Sequence, residues 1–514
     1  LRFYNDNATI EKVLYNVIIV AAEFLFLINI LLIDEPFINH WKDCEVVSPL
    51  IKNCRIKLPV LFLISLVLFM LHLDLFGHIW NQFYSHGTPF LQTAGRWLVY
   101  SIYAVLLAVF SIVYNAYQIH RLKPMEIVYS QILSLFFTNL IAYFQLCLIH
   151  HALLPAKGIL GLLGVQSIFS VIWAVFADKL CQKLFPPESI AVVFGERSSL
   201  EESLSPPLHY RAHFMPTAYI DCRQEEASIL RQLVQFDTVL LQEVPVPLRN
   251  RLLKFCYAHS ITVYMTPNIT DILLRSAENS IPCGVPILCC NSNGLRLSQR
   301  ITKRVLDLLV SMLCILVCLP LMGIIALMVK GYDGGPVLFR QRRCTQGGKI
   351  FKILKFRSMV VDAEKDGIFK PVNNEDPRIT PVGRFLRNTH FDELPQLFNI
   401  LRGDMSFVGP RPERVEHVEA YTKEIPEFRY RLKVKGGLTG YAQVMGAYNT
   451  NAYDKLKLDL MYIQNYSLFL DLKLILLTLK SIFTDQDHKP SAPLGNVPAK
   501  TPQTENKKQE LIKK

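Results

Sequence analysis

The stretch Thr389-His-Phe-Asp392-Glu393-Leu-Pro395-Gln sets two carboxylates side by side, with Arg384 and Arg387 just upstream and Gly409-Pro-Arg411-Pro-Glu413 a short way downstream. An isolated Asp-Glu pair at a helix start is usually a cap, because carboxylates there accept the unpaired N–H groups of the first turn. Pro395 is tolerated if it falls in that turn. The surroundings of this pair ask for more than capping. Two prolines hold Arg411 in a rigid turn, which suits a bidentate grip on phosphate. Between Gly331 and Val361 the single acid Asp333 faces seven bases: Arg340, Arg342, Arg343, Lys349, Lys352, Lys355 and Arg357. By itself that run also fits an edge that binds lipid headgroups. With the acid pair it has the composition of a phosphoryl-transfer site, in which Mg²⁺ and guanidinium groups neutralise phosphate oxygens while a carboxylate attacks or coordinates. Gly436-Gly-Leu-Thr439-Gly440-Tyr-Ala-Gln443 adds a glycine-rich turn with Thr439 and Gln443 as polar handles, weak evidence alone.

The elements that must position these residues are partly lipidic. Of the 514 residues, 51% are hydrophobic and only 19% charged, and the mean hydropathy is +0.25. This balance excludes both a disordered chain and an ordinary soluble enzyme. The net charge of +12 favours anionic partners without choosing among phosphates, nucleotides and acidic lipids. Twelve cysteines are scattered with no C-x-x-C pair, so they read as reduced small side chains, and structural zinc is not expected. Five segments, 13–33, 57–76, 98–117, 129–149 and 158–177, are long and apolar enough to cross a bilayer as helices. The first is too long for a signal peptide, follows Glu11 and lacks a small-residue cleavage site. The sequence opens on Leu1 rather than Met, so a few residues are expected upstream. Placing the N-terminus outside puts eight Lys and Arg residues in the inner loops against four outside, and everything after residue 180 then faces the cytosol.

From Ser189 to Ser298 the composition turns to soluble alternation. Ile190–Phe194, Thr238–Leu241 and Ile261–Tyr264 read as strands, and Glu225–Gln235 as a helix between them. This unit is similar to the Rossmann-like domain of some membrane sugar transferases. Gly195-Glu-Arg-Ser-Ser lacks the G-x-G-x-x-G spacing, which favours a structural or regulatory module over a dinucleotide site. Val305–Val329 is apolar with Pro320 inside it and with bases on both flanks, Arg300, Lys303 and Arg304 before and Lys330, Arg340, Arg342 and Arg343 after. Positive charge on both sides argues against crossing, and a break at Pro320 would let the segment enter one leaflet and return; a kinked transmembrane helix is the competing reading. Residues 467–483 form an amphipathic helix for the membrane surface or for the core, and the Pro/Lys/Gln-rich stretch from Asp485 is expected to be a disordered tail.

Residues 300–484 resemble the catalytic domain of the bacterial sugar transferase family, the monotopic polyprenyl-phosphate hexose-1-phosphate transferases. The matching stretches are Lys303-Arg-Val-Leu-Asp307, Lys355-Phe-Arg-Ser-Met359, Asp392-Glu-Leu-Pro-Gln-Leu-Phe-Asn399, Gly403-Asp-Met-Ser-Phe-Val-Gly-Pro-Arg-Pro-Glu413 and Gly437-Leu-Thr-Gly440. The whole chain is similar to the large members that act as undecaprenyl-phosphate galactose or glucose phosphotransferases. The architecture so implied is an α-helical membrane bundle (1–186), a Rossmann-like α/β domain (187–299), a mixed α+β catalytic domain (300–484) with a re-entrant membrane helix (303–330) turning at Pro320, and the tail 485–514.

The resemblance implies that Asp392 is the nucleophile on the proximal phosphate of a UDP-sugar, releasing UMP and forming a phosphosugar-aspartyl intermediate that polyprenyl phosphate takes up. Glu393 would deprotonate the acceptor or, with Asp392, organise Mg²⁺, while Lys355, Arg357, Arg387 and Arg411, with Gln341, Arg343, Thr439 and Gln443, would hold substrate. The partners implied are the UDP-sugar, polyprenyl phosphate and the lipid bilayer, with the catalytic domain on the cytosolic side of the bacterial inner membrane. A homodimer is compatible with the bundle, and nucleic acid is not expected, since the bases cluster beside a membrane segment. Three positions depart from the family: Thr345 stands in place of a usual glycine, Leu319 in place of a common serine before Pro320, and Ala447 where a base is frequent. Two rival classes are a transporter or scaffold whose acid pair only caps a helix and a nucleotide-dependent oxidoreductase using residues 189–298. No motif distinguishes one hexose from its epimer.

Overall fold

The computed structural model describes residues 57–84, 94–119, 122–184, 188–195, 214–280, 285, 287–290, 294–361, 363, 376–446 and 451–484. The expected span 13–33, Ala447 and the tail 485–514 lie outside these residues. The chain divides into two compact units, Leu1–Thr266 and Pro267–Lys514.

In the first unit four helices, α1 (Lys57–Phe83), α2 (Ala94–Val113), α3 (Pro124–His150) and α4 (Lys157–Leu184), are each long and apolar enough to cross a membrane. They are apolar inside and out: Phe76, Trp80, Tyr103, Leu135 and Leu146 are buried among them, while Phe62, Trp97, Val105 and Leu160 stay exposed. Such all-round hydrophobicity suits a lipid surround, where packing and interhelical hydrogen bonds replace the hydrophobic effect. One chain of bonds links all four helices. Tyr103 donates to Asn139 Oδ1 (2.9 Å), the Asn139 amide to Gln166 Oε1 (2.9 Å), and the Gln166 amide to the His72 carbonyl (3.1 Å).

The soluble part of this unit is a parallel four-stranded sheet in the order β2-β1-β3-β4, built from β1 (Glu188–Phe194), β2 (Phe214–Asp221), β3 (Thr238–Gln242) and β4 (Thr262–Met265). Helices α5 (Glu226–Leu233) and α6 (Val246–Ala258) cover it. Ile190–Val193 are all buried, as expected of a central parallel strand. The sequence reading finds β1, β3, β4 and α5 but not β2, which holds Pro216 as its third residue. Proline is tolerated there because β2 is an edge strand, and its register with β1 shifts between Ile190 and Ala191.

The second unit opens with α7 (Ile269–Arg275), whose Ile269 and Ile272 share a core with Leu456, Leu460 and Ile463 of α13 (Ala452–Gln464). These residues, expected to close the α/β domain, therefore group with the C-terminal elements. The antiparallel pair β5 (Glu278–Ser280) and β6 (Ile287–Cys289) leads into α8, Leu297–Asp333. This helix runs unbroken through Pro320, so the anticipated break is a helix interior that lacks one backbone hydrogen bond. One face of α8 packs against the same unit: Cys314 and Ile315, partly buried, against Phe351, Ile353 and Leu397, then the buried Met322, Ile325 and Val329 against Phe356 and Leu386. The other face, with Leu309, Leu313, Leu316, Leu319 and Leu327, is exposed.

Charged residues at the root of α8 fasten three neighbours. The Lys303 ammonium donates to Tyr462 (3.0 Å) and to Asp471, both buried. Arg304 donates to the carbonyls of Ile400 (2.7 Å) and Leu401 (2.8 Å), satisfying the C-terminal end of α10 (Gln396–Arg402). Asp307 accepts from Ser406 Oγ (2.9 Å) and Phe407 N (2.8 Å). After α8 come the antiparallel hairpin β7 (Leu338–Cys344) and β8 (Ile350–Phe356), then α9 (Pro381–Asn388) and α10. Next are β9 (Ser406–Val408), α11 (Val415–Glu424), β10 (Gly437–Thr439), α12 (Tyr441–Met445), α13 and α14 (Leu468–Thr484). The amphipathic α14 has one buried face and one exposed face. Asp471, Leu474 and Leu477 face inward, while Leu468, Phe469, Leu472 and Leu479 are exposed.

Strand β8 packs on α10 through Phe351, Ile353, Leu397 and Ile400, and one polar side chain adds hydrogen bonds between them. Asn399, 1% exposed, accepts from Leu354 N (2.9 Å) and donates to Lys352 O (3.0 Å), completing the edge of the hairpin as a neighbouring strand would. Asn399→Ala leaves both backbone groups unpaired in the interior. It should cost about 2–4 kcal/mol, read as a fall of several degrees in the unfolding temperature of the detergent-solubilised protein.

Candidate active site

The chain reaches the acid pair through an abrupt turn. Helix α9 starts with Thr380 accepting from Gly383 N (2.9 Å) and Pro381 in its first turn. It ends before His390, whose φ of 56° lies in the left-handed region that non-glycine residues seldom occupy. This reversal feeds a single 3-10 turn, Phe391–Glu393, and α10 follows directly with Pro395 just ahead of it. The adjacent carboxylates therefore stand at a helix start, as the sequence suggests, and they have different environments.

Glu393 is engaged by two cations from separate elements. Its Oε1 accepts from Lys355 Nζ of β8 at 2.6 Å and from Arg411 Nη2 at 2.8 Å. Burial alone would raise this carboxyl, but the charges of Arg411 and Lys355 outweigh it and hold Glu393 well below the usual carboxylate range. Asp392, 8% exposed, has Lys355 Nζ at 3.8 Å, and among the described residues no hydrogen bond takes its carboxylate. Burial raises it, with the charge of Glu393 adding and those of Lys355 and Arg387 opposing. Neighbouring acids pushed in opposite directions are a frequent mark of divided labour in a catalytic site.

The cations are positioned by local geometry. Pairing of Phe339 with Lys355, Gln341 with Ile353 and Arg343 with Phe351 puts Gln341, Arg343 and Lys355 on one face of the hairpin. Arg343 donates to Gln341 Oε1 (2.7 Å) and to the Pro412 carbonyl (3.0 Å), which ties the hairpin to the Pro-Arg-Pro turn. Arg387, half-buried, donates to Ser358 Oγ (2.8 Å), and its charge acts on Asp392. The structure thus brings together Asp392, Glu393, Lys355, Arg411, Arg387, Arg343 and Gln341.

Three further candidates lie elsewhere. Arg357 makes a two-pronged ion pair with Asp333 (Nη1–Oδ2 2.7 Å), locking the end of α8 to the end of β8. Thr439 is buried and shares its hydroxyl with Thr478 of α14 at 2.7 Å. Exposed Gln443 donates to the Leu438 carbonyl at 3.3 Å. The glycine-rich turn acts as a backbone crossing. β9 and β10 pair in parallel, and a Cβ on Gly437 would lie 2.1 Å from Gly409 N, one on Gly440 2.2 Å from Gly409 O. Thr345, in place of a glycine, is accommodated: it donates to Asp404 O (3.0 Å) and accepts from Gly436 N (3.1 Å).

Sequence reasoning missed the charges behind Arg411. Glu413 accepts from Lys455 Nζ at 2.6 Å and lies 3.6 Å from Arg431, which pairs with Asp459 at 2.8 Å. These cations overcome the effect of burial and bring Glu413 down to about 2. A trace was available in the sequence. Asp459 falls on the helical stripe of Leu456, Leu460 and Ile463, where an acid survives only if paired. Among the described residues no group of three or more His, Cys, Asp or Glu side chains is placed to hold a metal.

Asp392 therefore sits beside ammonium and guanidinium charge with no hydrogen bond from the described residues. Residues 298–485 match the family described as bacterial sugar transferase. A UDP-glucose:undecaprenyl-phosphate glucose-1-phosphate transferase from Caulobacter vibrioides is 42% identical over 194 residues, 37% of this chain and 72% of that protein. The chain belongs to the bacterial sugar transferase family. Other members are similar over a smaller share of their length. A transferase of the same description from Klebsiella pneumoniae is 41% identical over 42% of this chain and 47% of its own. An undecaprenyl-phosphate galactose phosphotransferase from Salmonella typhimurium is 35% identical over 44% of this chain and 50% of its own. The matched part spans about half the length of these last two family members.

The Glu393 cluster predicts a pH-dependent stability difference. Because the folded-state pKa is depressed, its stabilisation is complete above the unfolded value of about 4.3 and fades as pH falls through the folded one. Glu393→Gln should cost about 2 kcal/mol at pH 7. In denaturation at a series of pH values, that gap should stay constant down to roughly pH 4.5 and then narrow.

Proposed function

We propose that this protein transfers a hexose 1-phosphate from a UDP-sugar to polyprenyl phosphate, with Asp392 as the nucleophile. The observation that carries this reading is the contrast within the acid pair, one carboxylate consumed by cations and the other left open beside them. An Asp392 oxygen bonds to the phosphorus that bears the sugar, the phosphoanhydride bond breaks, and UMP leaves with the bonding electrons. A phosphate oxygen of the polyprenyl acceptor then attacks the same phosphorus. The aspartyl bond breaks, the carboxylate is restored, and a sugar-diphosphate lipid forms. Developing charge on both leaving groups requires fixed cations, which Lys355, Arg411 and Arg387 supply. Glu393, ionised and shared between Lys355 and Arg411, keeps both side chains extended before substrate arrives. Substrate phosphate then exchanges for the Glu393 oxygen as their partner. Once released, that carboxylate regains basicity for the acceptor proton.

Mg²⁺ needs only one or two protein carboxylates when substrate phosphates complete its shell. The open carboxylate of Asp392 fits such an ion, with Glu393 as the second candidate ligand. Bound there, it would supply charge neutralisation to the diphosphate. Galactose and glucose are the sugars that family membership favours, with a place at the first membrane step of an exopolysaccharide, capsule or O-antigen type of assembly at the bacterial inner membrane.

The exposed apolar face of α8 supports a helix seated in the bilayer, and the bases at both ends, with a bend where Pro320 removes one backbone hydrogen bond, would let it return to the side it entered. Contacts with one polar unit along both of its halves favour this over a crossing, and they carry the acid pair to the lipid boundary. There a water-soluble donor and a lipid-tailed acceptor can meet.

Two measurements test the reading. Asp392→Asn should lower UMP release at least ~10³-fold while circular dichroism stays unchanged, and acid-quenched wild type given labelled UDP-sugar should carry label on Asp392; unchanged turnover removes the nucleophile. In sealed inverted vesicles, Ser298→Cys and Pro336→Cys should both react with an impermeant maleimide from the outer, cytosol-derived face. Reaction from opposite faces rules out the returning helix.

A further inference from the structure

The Pro410-Arg411-Pro412-Glu413 turn is gripped through its carbonyl groups, because two of its four residues have no N–H to donate. Gly437 N donates to Pro410 O (3.0 Å) and Cys344 N to Glu413 O (3.0 Å), so backbone holds the two ends. Guanidinium groups hold the middle: Arg343 Nη1 donates to Pro412 O (3.0 Å) and Arg431 Nη2 to Arg411 O (2.9 Å). Arg431 has no exposed route to substrate, being 2% exposed and lying over the Phe428 ring with its guanidinium carbon 4.9 Å from the centroid. Its charge is balanced in the interior by Asp459, 1% exposed, at 2.8 Å, and by Glu413 at 3.6 Å.

Burying a cation and its counter-ion costs more than a hydrophobic pair of equal volume would. Here the expense secures one backbone oxygen, that of the residue whose side chain reaches Glu393. With two prolines fixing φ on either side, rotation about the remaining bonds at Arg411 is what sets the direction of its guanidinium.

We infer that Arg431, neutralised by Asp459, is a positioning residue for the transfer reaction: it fixes the Arg411 carbonyl and thereby aims the Arg411 guanidinium at the donor phosphate. The inference rests on the phosphoryl-transfer reading of the site. It assigns Arg431 no contact with substrate.

The test is a double-mutant cycle on the full-length, detergent-purified enzyme, scoring kcat and KM for UMP release with the UDP-sugar that the wild type turns over. Arg411→Ala measures the whole contribution of that side chain. Arg431→Met should cut kcat/KM about tenfold in the wild-type background and less than about twofold in the Arg411→Ala background. A general loss of folded protein would cut both by the same factor. Because Arg431→Met leaves Asp459 unpaired, the second variant is Arg431→Met/Asp459→Leu, which removes the buried pair together. It should unfold at a temperature close to wild type yet keep the tenfold defect. Equal losses in both backgrounds, or wild-type kinetics in a folded Arg431→Met/Asp459→Leu protein, overturn the role of Arg431 and leave the reading of Arg411 standing. A silent Arg411→Ala overturns both.

Discussion

One carboxylate oxygen, Glu393 Oε1, is the point on which the catalytic unit converges. A β-hairpin offers it Lys355 and a proline-braced turn offers it Arg411. Without the acid, two cations from independent elements would face each other at short range in a place that water only partly screens, and their repulsion would splay the hairpin from the turn. With it, a positively charged cradle exists before any substrate is present. In the proposed reaction, preorganised charge of this kind would spare the cost of turning dipoles at the moment of transfer.

That cradle is in turn tied to a helix made for lipid. Arg357 and Asp333 lock the far end of α8 to the strand carrying Lys355, and Arg304 seals the C-terminus of the helix that follows the acid pair. Any displacement of α8 is therefore transmitted to both sides of the site through charged contacts. The neighbouring apolar stripe stays free for hydrocarbon. Anchoring charges and packed side chains on the inner face and bare carbon on the outer face give the element two partners without asking any single residue to serve both.

Features written in local composition were legible in the sequence: apolar spans, the paired acids, the rigid arginine turn, the run of bases and most strands of the α/β sheet. Features set by tertiary pairing were hidden. β2 was obscured by a proline that only an edge strand can hold, and Pro320 bears on a helix that tertiary contacts carry past it. Arg357 looks like one more phosphate ligand until Asp333 is seen beside it, and Thr439 looks like a handle until Thr478 takes its hydroxyl. Arg431 and Asp459, separated by β10 and α12, had no pattern to join them.

The crossing of β9 and β10 sets limits of a different kind. Gly409, Gly437 and Gly440 meet where even a methyl group would strike the opposing main chain. Randomising these conspicuous motif positions would mostly yield unfolded libraries. Variation is better spent on surfaces with room to change.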